Sequence, residues 1–85
     1  MASYTHKNRG VCSSQISFEL DGDVVKNVSF VGGCNGNLAG IGKLVEGMKA
    51  QDVIDRVKGT KCGFKNTSCP DQLALALEEA LAQQN

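Results

Sequence analysis

A chain of 85 residues is long enough for one domain with a small core, and we predict a single domain over residues 1–85. Nine basic residues cancel nine acidic ones without local clustering, and one tyrosine and three phenylalanines make no stacking platform, so nucleic-acid binding is not expected. Because no apolar run reaches the ~18 residues of a membrane span and the N-terminus lacks an apolar signal core, we expect a cytoplasmic protein without a membrane partner.

Two alternating runs predict a β-hairpin in the first part of the chain. The even positions of residues 12–20 are Cys, Ser, Ile, Phe and Leu, and those of residues 24–30 are Val, Lys, Val and Phe. Residues 21–23, Asp-Gly-Asp, form the turn between them. This pattern does not decide whether residues 2–8 add a third strand to the hairpin.

The register of this hairpin follows from the demand that both apolar faces coincide. Leu20 then lies opposite Val24 across a three-residue loop. The same register brings Cys12 near Gly32, and Cys34 follows two residues later. We therefore expect Cys12 and Cys34 to meet at the open end of the hairpin.

Two helices are predicted after the strands. The first begins at Asn35 or Asn37 and ends near Gly47, and the second covers residues 50–58 and ends at Gly59. The apolar stripe of the first helix is Leu38, Ile41, Leu44, Val45 and Met48, and that of the second is Val53, Ile54 and Val57.

A third helix is predicted to start at residues 67–71, Thr-Ser-Cys-Pro-Asp. This run offers a hydroxyl cap, a proline in the first turn where proline is tolerated, and an acid beside the positive end of the helix dipole. Its apolar stripe is Leu73, Ala76, Leu77, Ala80 and Leu81. The predicted fold class is α+β, a short antiparallel hairpin or meander followed by two or three helices packed on one face.

Four cysteines are the candidate metal ligands: Cys12, Cys34, Cys62 and Cys69. They are separated by 21, 27 and 6 residues, which differs from the paired knuckles of zinc ribbons. Each sits at the end of a predicted element beside Gly, Ser or Asn, and stable disulfides are not expected in the cytoplasm. Four thiolates can hold zinc, which we favour, or an iron–sulfur cluster.

The cysteines also allow other interpretations. Cys34 and Cys69 stand at helix starts, where the dipole favours a thiolate that can ligate metal or attack a disulfide. A reversible dithiol pair is the competing chemistry, and Cys62 and Cys69 are the nearest neighbours in sequence. The simplest alternative is four small buried residues without chemistry.

The glycine-rich turn before the first helix is a weaker candidate, as a phosphate or nucleotide site. The backbone N–H groups of Gly32, Gly33, Gly36 and Asn37 can face a phosphate there. Neither the Walker lysine pattern nor the dinucleotide glycine spacing is present. Close backbone packing around Cys34 is the alternative.

His6 is the single histidine of the chain. We place it in a mobile N-terminal segment and expect it to be solvent-exposed rather than a ligand or a base. No Ser-His-Asp set and no close carboxylate pair indicates hydrolysis.

The run at residues 67–71 spells the signature of the TSCPD domain, and further motifs agree with that family. They are Gly-Val-Cys-Ser at residues 10–13, Gly-Gly-Cys-Asn-Gly-Asn at 32–37, Leu-Val-Glu-Gly-Met at 44–48, and Cys62-Gly63. The chain thus resembles the small stand-alone form of a domain otherwise found near the C-terminus of adenosylcobalamin-dependent ribonucleotide reductases.

This resemblance implies a link to deoxyribonucleotide synthesis, with a ribonucleotide reductase chain as partner. A radical reductase encloses nucleotide, cobalamin and its own thiols, and 85 residues are too few for that. The role implied is therefore auxiliary, through metal, thiol or partner contacts.

The layout is also similar to the iron–sulfur scaffold proteins of the IscU and NifU kind. Cys34 would match their turn cysteine and Cys69 the cysteine before the last helix. Ser68 stands where that family has a histidine, and Cys62 has no clear counterpart. This second resemblance implies an iron–sulfur scaffold or carrier.

Two further functional alternatives remain beside the metal module. One is a thiol redox protein, in which two cysteines cycle. The other is a pure interaction domain that docks a partner on the exposed side of its hairpin. The sequence is also compatible with a homo-oligomer.

Overall fold

Three antiparallel strands are followed by three helices along the chain. The computed structural model describes residues 2–8, 11, 13–33, 35–61, 63 and 67–84. The elements are β1 Ala2–Lys7, β2 Ser13–Asp21, β3 Val24–Gly32, α1 Asn35–Val45, α2 Ala50–Val57 and α3 Cys69–Gln84. The strands form one sheet in the order β1-β2-β3, and the predicted α+β fold class is confirmed.

The N-terminal segment is a strand, which settles the question left open for residues 2–8. β1 pairs with β2, and His6 lies opposite Ile16. The ring of Tyr4 stacks on that of Phe18 with the ring centroids 5.5 Å apart. The His6 side chain is 16% exposed, so the prediction of a mobile segment with an exposed histidine is wrong. Tyr4 and His6 share a face of β1, and that face turns inward.

The predicted register of the β2–β3 hairpin is also wrong. Leu20 pairs with Val25 rather than with Val24, across a two-residue turn in which Gly22 has a φ of 63°. Val25 is fully buried, whereas Val24 is only half-buried. A two-residue turn that begins with a glycine of positive φ matches the right-handed twist of the strands better than a three-residue loop does.

Two β-bulges reset the alternation of side chains along this hairpin. Between Ser17 and Glu19, β3 carries one extra residue, next to Asn27 with its φ of 54°. Between Ser13 and Gln15, β2 carries the extra residue. A bulge moves the following side chain to the other face of the sheet. Ser13 is therefore buried although an even position was predicted to face inward.

Helix α1 packs on β3, with Leu38 and Val45 each 6% exposed. Leu44 was predicted to belong to the same stripe, but its side chain is 79% exposed. Leu44 lies about 120° around the helix from Leu38, whereas Val45 lies about 20° from it. The helix therefore turns Leu44 to solvent.

The close approach of α1 to β3 depends on Gly42. A Cβ atom at this position would lie 3.0 Å from the carbonyl oxygen of Val28, while one at Gly40 would meet nothing within 4 Å. We expect Gly42→Ala to lower the free energy of unfolding by about 1–2 kcal/mol through overpacking. Gly40→Ala, the matched control, should raise it by about 0.5–1 kcal/mol because alanine favours a helix. Urea denaturation of both variants tests this, and equal effects would contradict the packing argument.

Helices α2 and α3 pack on each other, and α3 reaches β1 and β2. The predicted ends of α1 and α2 are confirmed, since Gly47 and Gly59 follow these helices with φ values of 82° and 86°. The buried core consists of Ile16, Phe18, Leu20, Val25, Val45, Ala50, Val53, Ile54, Leu73, Ala74, Ala76, Leu77 and Ala80. It lies between one face of the sheet and the helices, and the start of α3 stands at its edge.

Candidate metal centre

The start of α3 is built as the sequence predicts. The Ser68 hydroxyl accepts the backbone N–H of Asp71 at 3.2 Å, which is the capping bond at a helix N-terminus. Cys69 is the first residue of the helix, Pro70 follows, and Cys69 is 6% exposed. The cap therefore sets where the helix begins and keeps the thiol group inside.

Asp71 has a structural role that goes beyond the helix dipole. Its Oδ1 accepts the backbone N–H of Gly59 at 2.6 Å, and its Oδ2 accepts the Thr67 hydroxyl at 2.5 Å. The Ser68 hydroxyl in turn donates to the Thr60 carbonyl at 2.6 Å. We call this set of contacts the Asp71 clamp: it fastens the segment after α2, which leads to Cys62, onto the first turn of α3.

His6 extends the Asp71 clamp to the sheet. Its Nε2 lies 3.1 Å from Oε1 of Gln72, whose Nε2 donates to the Thr67 hydroxyl at 3.0 Å. Nδ1 of His6 lies 3.6 Å from the Glu79 carboxylate. A polar chain thus runs from β1 through α3 to the residue that bonds Asp71. Sequence reasoning missed it because the partners lie 66 positions apart.

The sulfur of Cys69 has a polar neighbour on the sheet. The Ser13 Oγ atom lies 3.0 Å from Cys69 Sγ, and Ser13 is 1% exposed. Nδ2 of Asn8 donates to the Ser13 Oγ at 2.7 Å and to the Ser13 carbonyl at 3.3 Å. Neither Ser13 nor Asn8 is among the predicted site residues. The Gly-Val-Cys-Ser motif at residues 10–13 contains Ser13, but the sequence does not show the bulge in β2 that turns its side chain inward.

Of the four predicted ligands, only Cys69 belongs to the described residues; Cys12, Cys34 and Cys62 lie outside them. Residues one or two positions away from them in sequence are described. Ser13 contacts Cys69 and pairs with Gly32, and Thr60 is hydrogen-bonded to Ser68. Within the described part of the chain no group of three or more His, Cys, Asp or Glu could hold a metal ion. The predicted four-cysteine site, with Cys12 near Gly32, stays a prediction.

The residues of the weaker phosphate hypothesis flank the start of α1. Gly32 ends β3 and Gly33 follows it, with φ values of 79° and 77°. Gly36 and Asn37 lie in the first turn of α1 and are exposed. These positions do not test phosphate binding, which stays a prediction.

Comparison with known proteins gives one match. A family model described as the TSCPD domain matches residues 1–81. No curated protein and no solved structure matches the chain. Among the described residues, no helix combines the length and the apolar character needed to cross a membrane.

Proposed function

Because the chain belongs to the TSCPD domain family, which is linked to the C-terminal region of ribonucleotide reductase, we propose that it is a cysteine-based metal module that assists such a reductase. Zinc is the metal we propose, with an iron–sulfur cluster as the alternative. The proposed ligands are Cys12, Cys34, Cys62 and Cys69.

The convergence of chain segments on Cys69 is the observation that supports this function. The sequence neighbours of the other three cysteines, Ser13, Gly32 and Thr60, are tied to the start of α3 or to one another. In sequence, each of these three residues is one or two positions from a proposed ligand. Four thiolates suit zinc, which binds sulfur at about 2.3 Å in a tetrahedron.

The location of Cys69 suits a metal-bound thiolate. It opens α3, so the positive end of the helix dipole favours a negative sulfur. The Asp71 clamp holds the segment that leads to Cys62 against this helix end. When bound, the metal would cross-link these segments and supply stability that a core of this size lacks.

The size of this domain supports an auxiliary role. A domain of 85 residues with a Cα radius of gyration of 11.6 Å is too small to enclose a nucleotide, a cobalamin and a radical site together. The partner we propose is therefore a ribonucleotide reductase chain, and the contribution of this domain is structural or thiol-based.

Metal analysis of protein purified without oxygen tests the proposal directly. We expect about one zinc ion per chain and four thiols that react with an alkylating reagent only after chelation, as in a closed zinc site. Iron with acid-labile sulfide in place of zinc would favour the cluster. A metal content near zero with four freely reacting thiols would refute the metal module.

The partnership has a separate test. The chain alone should show no ribonucleotide reduction, and its addition should raise the turnover of a purified reductase that lacks its own TSCPD end. Cys69→Ser, which removes a ligand, should abolish the increase, whereas the exposed Leu44→Ala should keep it. An unchanged turnover with wild-type chain at saturating concentration would exclude a direct auxiliary role.

A further inference from the structure

We propose that Ser13 and Asn8 are positioning residues for the Cys69 sulfur: Asn8 holds the Ser13 hydroxyl, and that hydroxyl donates a hydrogen bond to Sγ. This inference rests on the proposed metal module, because it concerns the thiolate form that a metal requires. It assigns a task to Asn8, to Ser13, which follows Cys12 in sequence, and to the bulge that brings Ser13 inward.

The direction of the hydrogen bond follows from counting protons. The Ser13 hydroxyl carries one proton and two lone pairs. Asn8 Nδ2 donates into Oγ at 2.7 Å, which uses a lone pair and leaves the proton. A metal-bound thiolate has no proton to donate. Across the 3.0 Å between Oγ and Sγ, Ser13 must therefore be the donor.

The orientation of the Asn8 amide supports the same direction. The amide group faces two acceptors of Ser13, the carbonyl oxygen at 3.3 Å and the hydroxyl oxygen at 2.7 Å. An amide oxygen in that place would face the carbonyl oxygen and be repelled, so the nitrogen belongs there. The backbone N–H of Asn8 donates to the Ser14 carbonyl at 3.0 Å, which holds Asn8 beside the bulge.

Burial makes the contact effective. Ser13 is 1% exposed and Cys69 is 6% exposed, so water does not compete for Sγ. Hydrogen bonds from outside the ligand shell orient ligands and tune the bound metal, and their loss typically weakens metal binding by about 10–100-fold. Ser13 thus fixes the direction of the Cys69 sulfur from the sheet side while the helix fixes its backbone.

The absorption spectrum of the cobalt-substituted protein tests this hydrogen bond. Ser13→Ala removes the hydrogen-bond donor. Asn8→Asp replaces the amide by a carboxylate, and the Ser13 hydroxyl then donates its proton to this carboxylate instead of to Sγ. In both variants the thiolate loses a hydrogen bond and donates electrons more readily, so the thiolate-to-cobalt absorption band should move to longer wavelength. Zinc affinity, measured by competition with a chromophoric chelator, should fall by about tenfold.

Two matched variants separate this role from general damage to the fold. Ser14→Ala removes an exposed hydroxyl whose bond runs to the Val31 carbonyl, and it should leave band and affinity unchanged. Ser13→Thr keeps the donor and should retain the wild-type band. The double variant Ser13→Ala/Asn8→Asp should equal Ser13→Ala, because both changes remove one hydrogen bond.

The outcomes distinguish the two proposals. Bound cobalt with an unshifted band in both Ser13→Ala and Asn8→Asp would overturn this inference and leave the metal module standing. A wild-type protein that takes up neither zinc nor cobalt would overturn both. If Ser13→Ala loses its circular dichroism signal, the Asn8→Asp spectrum decides alone.

Discussion

Chelation of the proposed zinc ion should lower the melting temperature of this protein more than any single substitution that leaves the proposed ligands in place. A ligand that binds the folded state at a thousandfold excess over its Kd contributes about 4 kcal/mol to stability. For a domain of this size each kcal/mol corresponds to about 4–8 °C, so we expect a decrease of roughly 15–30 °C. Differential scanning calorimetry with and without a strong chelator measures it.

Cys69→Ser is the matched variant for this experiment. Without one of the proposed ligands the protein should melt at the lower temperature already, and the chelator should have little further effect. A chelator effect of equal size in Cys69→Ser would mean that the metal binds elsewhere. Identical melting of wild type with and without chelator, after confirmed metal loss, would show that the metal does not stabilise the fold.

Asp71→Ala should cause the second largest effect, a loss of about 2 kcal/mol in the free energy of unfolding. Asp71 is 7% exposed, and its removal leaves the Gly59 N–H and the Thr67 hydroxyl without their acceptor. A buried donor left unsatisfied costs about 1–3 kcal/mol, and these two donors are only partly buried, so the lower end of that range applies to each. Denaturant unfolding monitored by circular dichroism measures the change.

Asp71→Asn distinguishes the hydrogen bonds from the charge. Its amide oxygen can still accept from Gly59 and its amide nitrogen can donate to the Thr67 hydroxyl, so we expect a loss of only about 1 kcal/mol. Asp55→Ala is the surface control, because this carboxylate is exposed and accepts a hydrogen bond from the exposed Gln51 amide. Equal losses in Asp71→Ala and Asp55→Ala would contradict the clamp.

The Asp71 clamp explains the structural role of the family signature at residues 67–71. Ser68 caps α3 and bonds Thr60, Cys69 brings its sulfur to Ser13, and Asp71 bonds Gly59 and Thr67. Pro70 stands in the first turn, where a missing backbone N–H costs nothing. The signature is thus a helix start that also fastens the preceding segment.

The elements whose causes are local could be predicted from the sequence. The cap of α3 follows from a hydroxyl followed by proline and an acid, and the ends of α1 and α2 follow from Gly47 and Gly59. The α+β order of strands and helices follows from the change of apolar period along the chain. Such signals depend on neighbours within a few residues, so they can be read before the chain is folded.

The polar groups that meet at Cys69 depend instead on tertiary contacts. Two bulges move the hairpin away from the register that simple alternation predicts, and one of them buries Ser13. The partners Ser13 and Cys69 are 56 residues apart, and Asp71 reaches back 12 residues to Gly59. A bulge costs little in isolation and is selected by the packing of both faces of the sheet. The surroundings of the sulfur therefore follow from the whole fold rather than from any motif.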